Sequence, residues 1–150
     1  MIDIENIIVD MVTESVDSEF LAEHPGLCVY STDVSVPESF PCVTVVMTDN
    51  RTERRTLTFS DPLEFHANVT LTINVYTNNE NGKKELAKRI FGNIDDLLQR
   101  KHFTRIMAGP LPNIDRSVSR YTGRYTAVVG RPKTKEVDGE TVVTFPVYRG

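Results

Sequence analysis

The chain has 150 residues, of which 39% are hydrophobic and 25% are charged, and its formal net charge is −4. This composition is typical of one globular domain with a real hydrophobic core, and it excludes an intrinsically disordered chain. Its apolar runs are short, as in VTVVM at 43–47, whereas a membrane-spanning helix needs roughly 18 apolar residues, so we expect no membrane contact.

The first predicted element is an amphipathic helix over about 3–21. Its apolar residues recur at helical spacing and are Ile4, Ile7, Ile8, Met11, Val12, Val16 and Phe20. Asp3 is placed to cap the N-terminus, and EHPG at 23–26 ends the helix. Glu14 and Asp17 are among the residues of the opposite side, so this helix is expected to present an acidic surface.

Strand-like segments follow the helix at 27–36, 41–49 and 51–59. The second is rich in β-branched residues, and Asp49-Asn50 is interpreted as the turn of a hairpin that joins it to the third. The fourth segment, 65–76, alternates strictly between apolar and polar residues, which is the period of a β-strand.

The even-numbered side of the 65–76 strand is polar but uncharged. Its residues are His66, Asn68, Thr70, Thr72, Asn74 and Tyr76. Strands that face solvent usually carry Lys or Glu, which protects them from association. We therefore interpret Asn68, Thr70, Thr72 and Asn74 as a candidate subunit interface, with an ordinary exposed strand as the alternative.

The second half of the chain contains a helix, a loop and further strands. A stripe of apolar residues predicts a helix over 83–101, and the prolines of GPLPN at 109–113 predict a loop. A long strand is expected over 115–130, and Asp138-Gly139 is expected to form the turn of a C-terminal hairpin. The prediction is a single α+β domain spanning 1–150, with a mainly antiparallel sheet flanked by two main helices.

The stretch VYTNNENGKKELAK at 75–88 has the order of a phosphate-binding loop: a strand, a polar loop, Gly-Lys and a helix. The phosphate-loop motif requires glycine where Thr77 stands and a hydroxyl where Lys84 stands, so we expect no nucleotide. Lysines at a helix N-terminus gain nothing from the helix dipole. The position of Lys83 and Lys84 therefore favours a role in contact with a partner.

No residue pattern in the chain indicates catalysis. His24, His66 and His102 are isolated from other metal-ligating residues, and no serine or cysteine lies in a nucleophile motif. Asp95 and Asp96 diverge by about 100° on a helix and are expected to solvate it. We expect neither an enzyme nor a cofactor or metal.

The charge is divided along the chain. Residues 1–50 contain ten Asp or Glu and no Lys or Arg, and all 17 basic residues lie in 51–150. Such a division suits association with further copies or with a complementary partner; the alternative is neutralisation within one fold. The acidic N-terminus lacks the basic region of a secretion signal, so we expect folding in a cytoplasm, with Cys28 and Cys42 reduced and buried.

Three arginines offer a candidate interaction site. One side of the last long strand is expected to carry Arg116, Arg120 and Arg124, with about 13 Å between each arginine and the next. They are placed to meet carboxylates of a neighbouring subunit, for which Glu14 and Asp17 are the candidates, or DNA phosphates. A solvated face with local ion pairs is the alternative.

Three segments resemble the tail terminator (tail completion) proteins of long-tailed bacteriophages. These segments are NVTLTINVYTN, GKKELAKRIFGNIDDLLQ and FTRIMAGPLPNIDRSVSRYTGRYTAVV. The shared features are a strand ending in V-Y-[TS]-N, a GKK helix start, an F-x-R segment, a Pro-Asn loop and a strand with R-Y-x-x-R-Y. The resemblance covers about 65–129, and none of its motifs is catalytic.

The resemblance implies a small α+β subunit of a hexameric ring in the virion tail or neck, assembled in the cytoplasm of the host bacterium. The ring caps the tail tube, ends its polymerisation and forms the surface that joins the head. Implied partners are further copies, the tail tube protein and head–tail connector proteins, while genomic DNA passes through the lumen without sequence-specific binding. Alternatives are another neck protein, for head completion or head–tail joining, and a monomeric domain that binds a small ligand or nucleic acid.

Overall fold

The computed structural model describes residues 1–32, 37–53, 66–79, 83–112 and 115–148. The helices are α1 (Glu5–Phe20) and α2 (Lys83–Arg100). The strands are β1 (Cys28–Tyr30), β2 (Cys42–Thr52), β3 (His66–Asn78), β4 (Thr104–Leu111), β5 (Val118–Gly130), β6 (Lys133–Val137), β7 (Glu140–Thr144) and β8 (Val147–Tyr148).

The main sheet has the strand order β1-β2-β3-β5-β4, with β8 paired to β5 beyond the end of β4. The β1–β2 pair is parallel and the other pairs are antiparallel. Strands β6 and β7 form a separate hairpin. The chain is thus a single α+β domain with two helices and a mainly antiparallel sheet, which confirms the predicted fold class.

The core lies between the two helices and one side of the sheet. On β3 the odd-numbered residues 67, 69, 71, 73 and 75 are fully buried, because alternate residues of a strand point to the same side. Helix α1 contributes a residue every fourth position: Ile8, Val12, Val16 and Phe20. The helices also contact each other, since Ser15 Oγ donates to Asn93 Oδ1 at 2.7 Å.

Several predicted boundaries are confirmed. Helix α2 and strands β3 and β5 lie where the periodicity placed them. In the C-terminal hairpin, Asp138 and Gly139 have φ angles of 53° and 80°, and a two-residue type I′ turn requires positive φ at both positions. Asp3 is not the N-cap of α1, which is Ile4, but its carboxylate accepts the amide of Glu5, the first helical residue, at 3.0 Å.

The turn predicted at Asp49-Asn50 is wrong. Strand β2 continues through these residues to Thr52, and Asn50 pairs with Val69 of β3. A β-bulge between Met47 and Asp49 absorbs one extra residue, so the strand bends without reversing. Of the predicted return strand at 51–59, residues 51 and 52 belong to β2, and 54–59 lie outside the described residues.

Two further boundaries differ from the predictions. Strand β1 is only three residues long, and 33–36 of the predicted strand at 27–36 lie outside the described residues. The loop predicted from GPLPN is wrong for 109–111, which belong to β4. Pro110 is compatible with β4 because β4 is an edge strand, where alternate N–H groups face away from the sheet.

Candidate interaction surfaces

The sheet register decides on which side the predicted arginines lie. Arg120 pairs with Tyr76, and Arg124 pairs with Thr72. Directly paired residues of antiparallel strands point to the same side of the sheet. Both arginines therefore share a side with the even-numbered residues of β3, away from the helices. We call this side, defined by Asn68, Thr70, Thr72, Asn74, Arg120 and Arg124, the polar face.

Arg120 is held in place by its neighbours on the polar face. Its Nε donates to Asn74 Oδ1 at 3.0 Å, and its guanidinium carbon lies 5.5 Å from the centre of the Tyr76 ring. Asn74 and Tyr76 are buried, whereas Arg120 is half-buried. The guanidinium is thus oriented before any partner arrives, which lowers the entropy cost of a contact.

Arg124 and Arg116 differ from Arg120. Arg124 is exposed and pairs with Met107 of β4, which is itself exposed. The prediction that Arg116 belongs to the same strand is wrong, because it precedes β5 in a turn. There the Asp115 carboxylate accepts the Ser117 amide at 2.9 Å and the Ser117 hydroxyl at 2.6 Å. These hydrogen bonds lower the pKa of Asp115.

Three uncharged residues of the polar face bond to threonines of the neighbouring strands β2 and β5. Asn68 Oδ1 accepts the Thr126 hydroxyl at 3.1 Å, and the hydroxyls of Thr48 and Thr72 are 3.3 Å apart. The Thr70 carbonyl accepts a hydrogen bond from Thr48 as well, at 3.4 Å. Such cross-strand pairs stabilise the sheet, so part of this pattern has a structural explanation.

The acidic residues of α1 lie on the other side of the molecule. Glu14 is exposed and Asp17 is half-buried, while Val12 and Val16 turn toward the sheet. The sheet separates these carboxylates from Arg120 and Arg124, so the two groups cannot pair within one copy. The ion pairs between described residues join Asp49 with Arg51 and Asp95 with Arg105, and neither involves α1.

A basic groove of about 420 Å³ lies between the start of α2 and the β4–β5 connection. The described residues that line it are Lys84, Pro110, Leu111, Pro112, Arg116, Val118, Ser119 and Arg120. Three of these residues are cations and none is acidic. The unfavourable position of Lys84 at a helix N-terminus predicted a contact with a partner, but no pattern in the sequence grouped this lysine with the arginines.

Thr77 shows what replaces a phosphate loop in this segment. Its side chain is fully buried, and its hydroxyl donates to the Lys83 carbonyl. The hydroxyl thereby links the end of β3 to the first residue of α2. The phosphate-loop motif has a glycine at the position of Thr77, which leaves the backbone amides accessible to phosphate.

The prediction that Asp95 solvates α2 is wrong, whereas Asp96 is exposed as predicted. Asp95 is buried, and its carboxylate accepts hydrogen bonds from Tyr125 Oη at 2.6 Å, Gln99 Nε2 at 2.6 Å and Arg105 Nη1 at 3.0 Å. Burial, followed by the hydrogen bond to Asp95, raises the pKa of Tyr125 far above its ordinary value. This network joins α2 to β4 and β5.

The two cysteines lie side by side on adjacent strands, since Cys28 of β1 pairs with Cys42 of β2. Both thiols are free. Cys42 is fully buried as predicted, but Cys28 is only half-buried, because β1 is the edge strand. Burial, and then the neighbouring Cys28, raise the pKa of Cys42.

Metal-binding groups and membrane-spanning helices are absent from the described residues. Among the described residues, no group of three or more His, Cys, Asp or Glu is arranged to hold a metal ion. Within the same ranges, neither α1 nor α2 combines the length and the apolar character of a membrane-crossing helix.

A scan of the chain against protein-family models finds no match, and a search of curated proteins finds no relative.

Proposed function

We propose that the protein is a structural virion subunit that caps the phage tail tube as a ring, terminates tail polymerisation and forms the head-joining surface. The observation that carries the proposal is the placement of opposite charges on opposite sides of one sheet. Acidic Glu14 and Asp17 lie on the helix side, and Arg120 and Arg124 lie on the polar face. A head-to-tail ring requires two different, complementary patches on each subunit.

The edge strand β4 supports association with a neighbour. It exposes three large apolar side chains: Ile106 is 56% exposed, Met107 43% and Leu111 39%. Seven of its eight residues are exposed, and an exposed edge strand with such side chains invites contact with another chain. In a ring, the neighbouring subunit would cover part of this edge.

The proposed partners follow from the resemblance, which spans β3, α2, β4 and β5. They are five further copies in a hexamer, the tail tube protein and the head–tail connector proteins, with genomic DNA passing through the lumen. In this proposal the protein acts by binding alone, with no catalytic residue and no cofactor.

Tube capping tests the proposal directly. Purified protein is added to polymerising tail tube subunits, and tube lengths and ends are recorded by electron microscopy. We expect shorter tubes that carry a ring at one end. Light scattering of the protein alone at high concentration is expected to give a mass near six subunits. A protein that stays monomeric and leaves tube growth unchanged would overturn the proposal.

A second candidate function, binding of an anionic ligand or nucleic acid by a monomer, is favoured by the basic groove. Binding of a fluorescent DNA oligomer, measured over a range of salt concentrations, tests it.

A neck protein other than a terminator would bind the portal-proximal end of the head instead of the tube end. Pull-down with purified heads and tubes separates these two locations.

A further inference from the structure

The basic groove contains two cations, Lys84 and Arg116, that have no anionic partner among the described residues. Both side chains are exposed. Arg120 is oriented by Asn74. Leu111 and Val118 add apolar surface to the groove. It therefore suits an occupant that combines negative charge with an apolar side chain.

The position of Lys84 strengthens this requirement. It lies in the first turn of α2, where the helix dipole places partial positive charge. A lysine there is unfavourable for its own helix. A carboxylate in the groove would be attracted by the lysine and by the helix end together.

The end of α1 has the complementary chemistry. Leu21 is 39% exposed, and the carboxylates Glu19 and Glu23 on either side of it in sequence are exposed as well. The last turn of α1 contains no basic residue, so Glu19 meets the negative end of its helix dipole. Glu19 forms no ion pair with another described residue.

These two features lie at opposite edges of the same end of the sheet. Cys28, Cys42, Tyr76, Arg120 and Leu111 pair in one row that crosses the sheet from β1 to β4. The row spans four strand spacings, or about 19 Å. The connection from α1 leads into the β1 end of this row, and the basic groove lies at its β4 end. Copies placed side by side bring the two features together.

We infer that the end of α1 in one copy docks in the basic groove of the next copy, with Leu21 against Leu111 and Val118, and Glu19 and Glu23 against Lys84 and Arg116. This contact rests on the proposed function, because it is one part of the subunit interface of the ring. It joins the negative end of one helix to the positive end of another, and so offsets the unfavourable charge placement in both.

Charge exchange tests the contact. The variants Lys84→Glu/Arg116→Glu and Glu19→Lys/Glu23→Lys each weaken assembly by at least about tenfold, measured by light scattering and by occupancy of tube ends. A variant carrying all four substitutions recovers assembly. Lys84→Glu and Glu19→Lys each improve the fit of charge to helix dipole, but Glu19→Lys also places a lysine in the cavity that Arg89 and Arg100 line. Circular dichroism and thermal melting therefore check that every variant folds before its assembly is compared.

Matched controls use exposed charges of the β6–β7 hairpin. Lys133→Glu/Lys135→Glu and Glu136→Lys/Glu140→Lys make the same charge changes away from the groove, and we expect wild-type assembly from both. If the controls weaken assembly as much as the groove variants do, the effect is one of net charge and the inference is wrong.

Directed cross-linking locates the contact. Two variants in a Cys28→Ser background, one with Leu21→Cys and the other with Leu111→Cys, are mixed and oxidised with glutathione disulfide. A disulfide dimer that forms only in the mixture supports the contact. The inference is overturned if wild-type rings cap tubes but no cross-link forms and the groove variants assemble as well as the wild type. The proposed function would still stand in that case. Absence of wild-type assembly in solution and on tubes overturns both.

Discussion

The Tyr125 hydroxyl donates a hydrogen bond of 2.6 Å to the Asp95 carboxylate and so links the middle of β5 to α2 inside the core. Both side chains are buried, and the carboxylate is also held by Gln99 and Arg105. Hydrogen bonds to charged groups are the stronger ones. The edge strand β4 thus has a polar attachment to α2 through Arg105, in addition to its pairing with β5.

Removing the hydroxyl should destabilise the fold. Tyr125→Phe is expected to lower the free energy of unfolding by about 1.5–3 kcal/mol, since a buried carboxylate loses one of its donors. Urea denaturation measures the difference. Tyr121→Phe is the matched control: Tyr121 is half-buried against Phe91, with ring centres 4.8 Å apart, and this change should cost little. Equal losses in both variants would contradict the role given to Asp95.

Stability should fall in alkaline solution. The pKa of Tyr125 is raised on folding. Below the ordinary tyrosine pKa of about 10, the folded and the unfolded chain both keep the proton, so Tyr125 makes its full contribution to the free energy of unfolding. Above that pH the unfolded chain releases the proton while the folded chain keeps it, so stability is lost at about 1.4 kcal/mol per pH unit. The raised pKa of Cys42 acts in the same direction from about pH 9. Urea denaturation between pH 8 and 11 should show this decline, and Tyr125→Phe should remove the part above pH 10. A curve of the same shape in the variant would refute the assignment.

The two thiols should differ in reactivity. Because the thiolate is the reactive form, burial and the raised pKa should protect Cys42, while half-buried Cys28 reacts. Native protein treated with iodoacetamide at pH 8 should gain one adduct on Cys28, and protein in urea should gain two. Peptide mass spectrometry identifies the site. Equal labelling of Cys42 without urea would show that the β1–β2 edge opens readily.

Two glycines should respond to alanine with opposite signs. A Cβ at Gly123 would overlap the Phe91 ring and approach Tyr125 at 3.3 Å, so Gly123→Ala should cost about 1–3 kcal/mol by overpacking. Gly92 lies within α2 with open space around it, so Gly92→Ala should add about 0.5–1 kcal/mol through helix propensity. Thermal melting of the two variants beside the wild type tests both signs. A stable Gly123→Ala variant would mean that α2 can move away from the sheet.

Charge reversal on the polar face should weaken association. Arg124→Glu changes an exposed side chain that forms no ion pair within the described ranges, so assembly should fall by about tenfold with little change in stability. Arg120→Glu also removes the hydrogen bond to Asn74, so this variant should show weaker assembly and a lower free energy of unfolding. Light scattering reports assembly, and urea denaturation reports stability. Unchanged assembly in the Arg124 variant would remove the polar face from the subunit contact.

The sequence by itself determined the elements whose pattern is local. The alternation along β3, the apolar stripe of α2 and the Asp138-Gly139 turn were each predictable, because periodicity and turn chemistry act over a few residues. The separation of acidic and basic regions along the chain was also visible directly in the sequence.

Only the tertiary structure decided which residues are buried together and which surfaces meet. Because β2 pairs with β3, the strand continues through Asp49-Asn50. Asp95 is buried with a hydrogen bond from Tyr125, although a charged residue on a helix predicts exposure. The basic groove unites Lys84 with Arg116 and Arg120 across more than thirty residues of sequence. Such proximity depends on strand order and register, which arise from long-range packing and leave no local pattern to read.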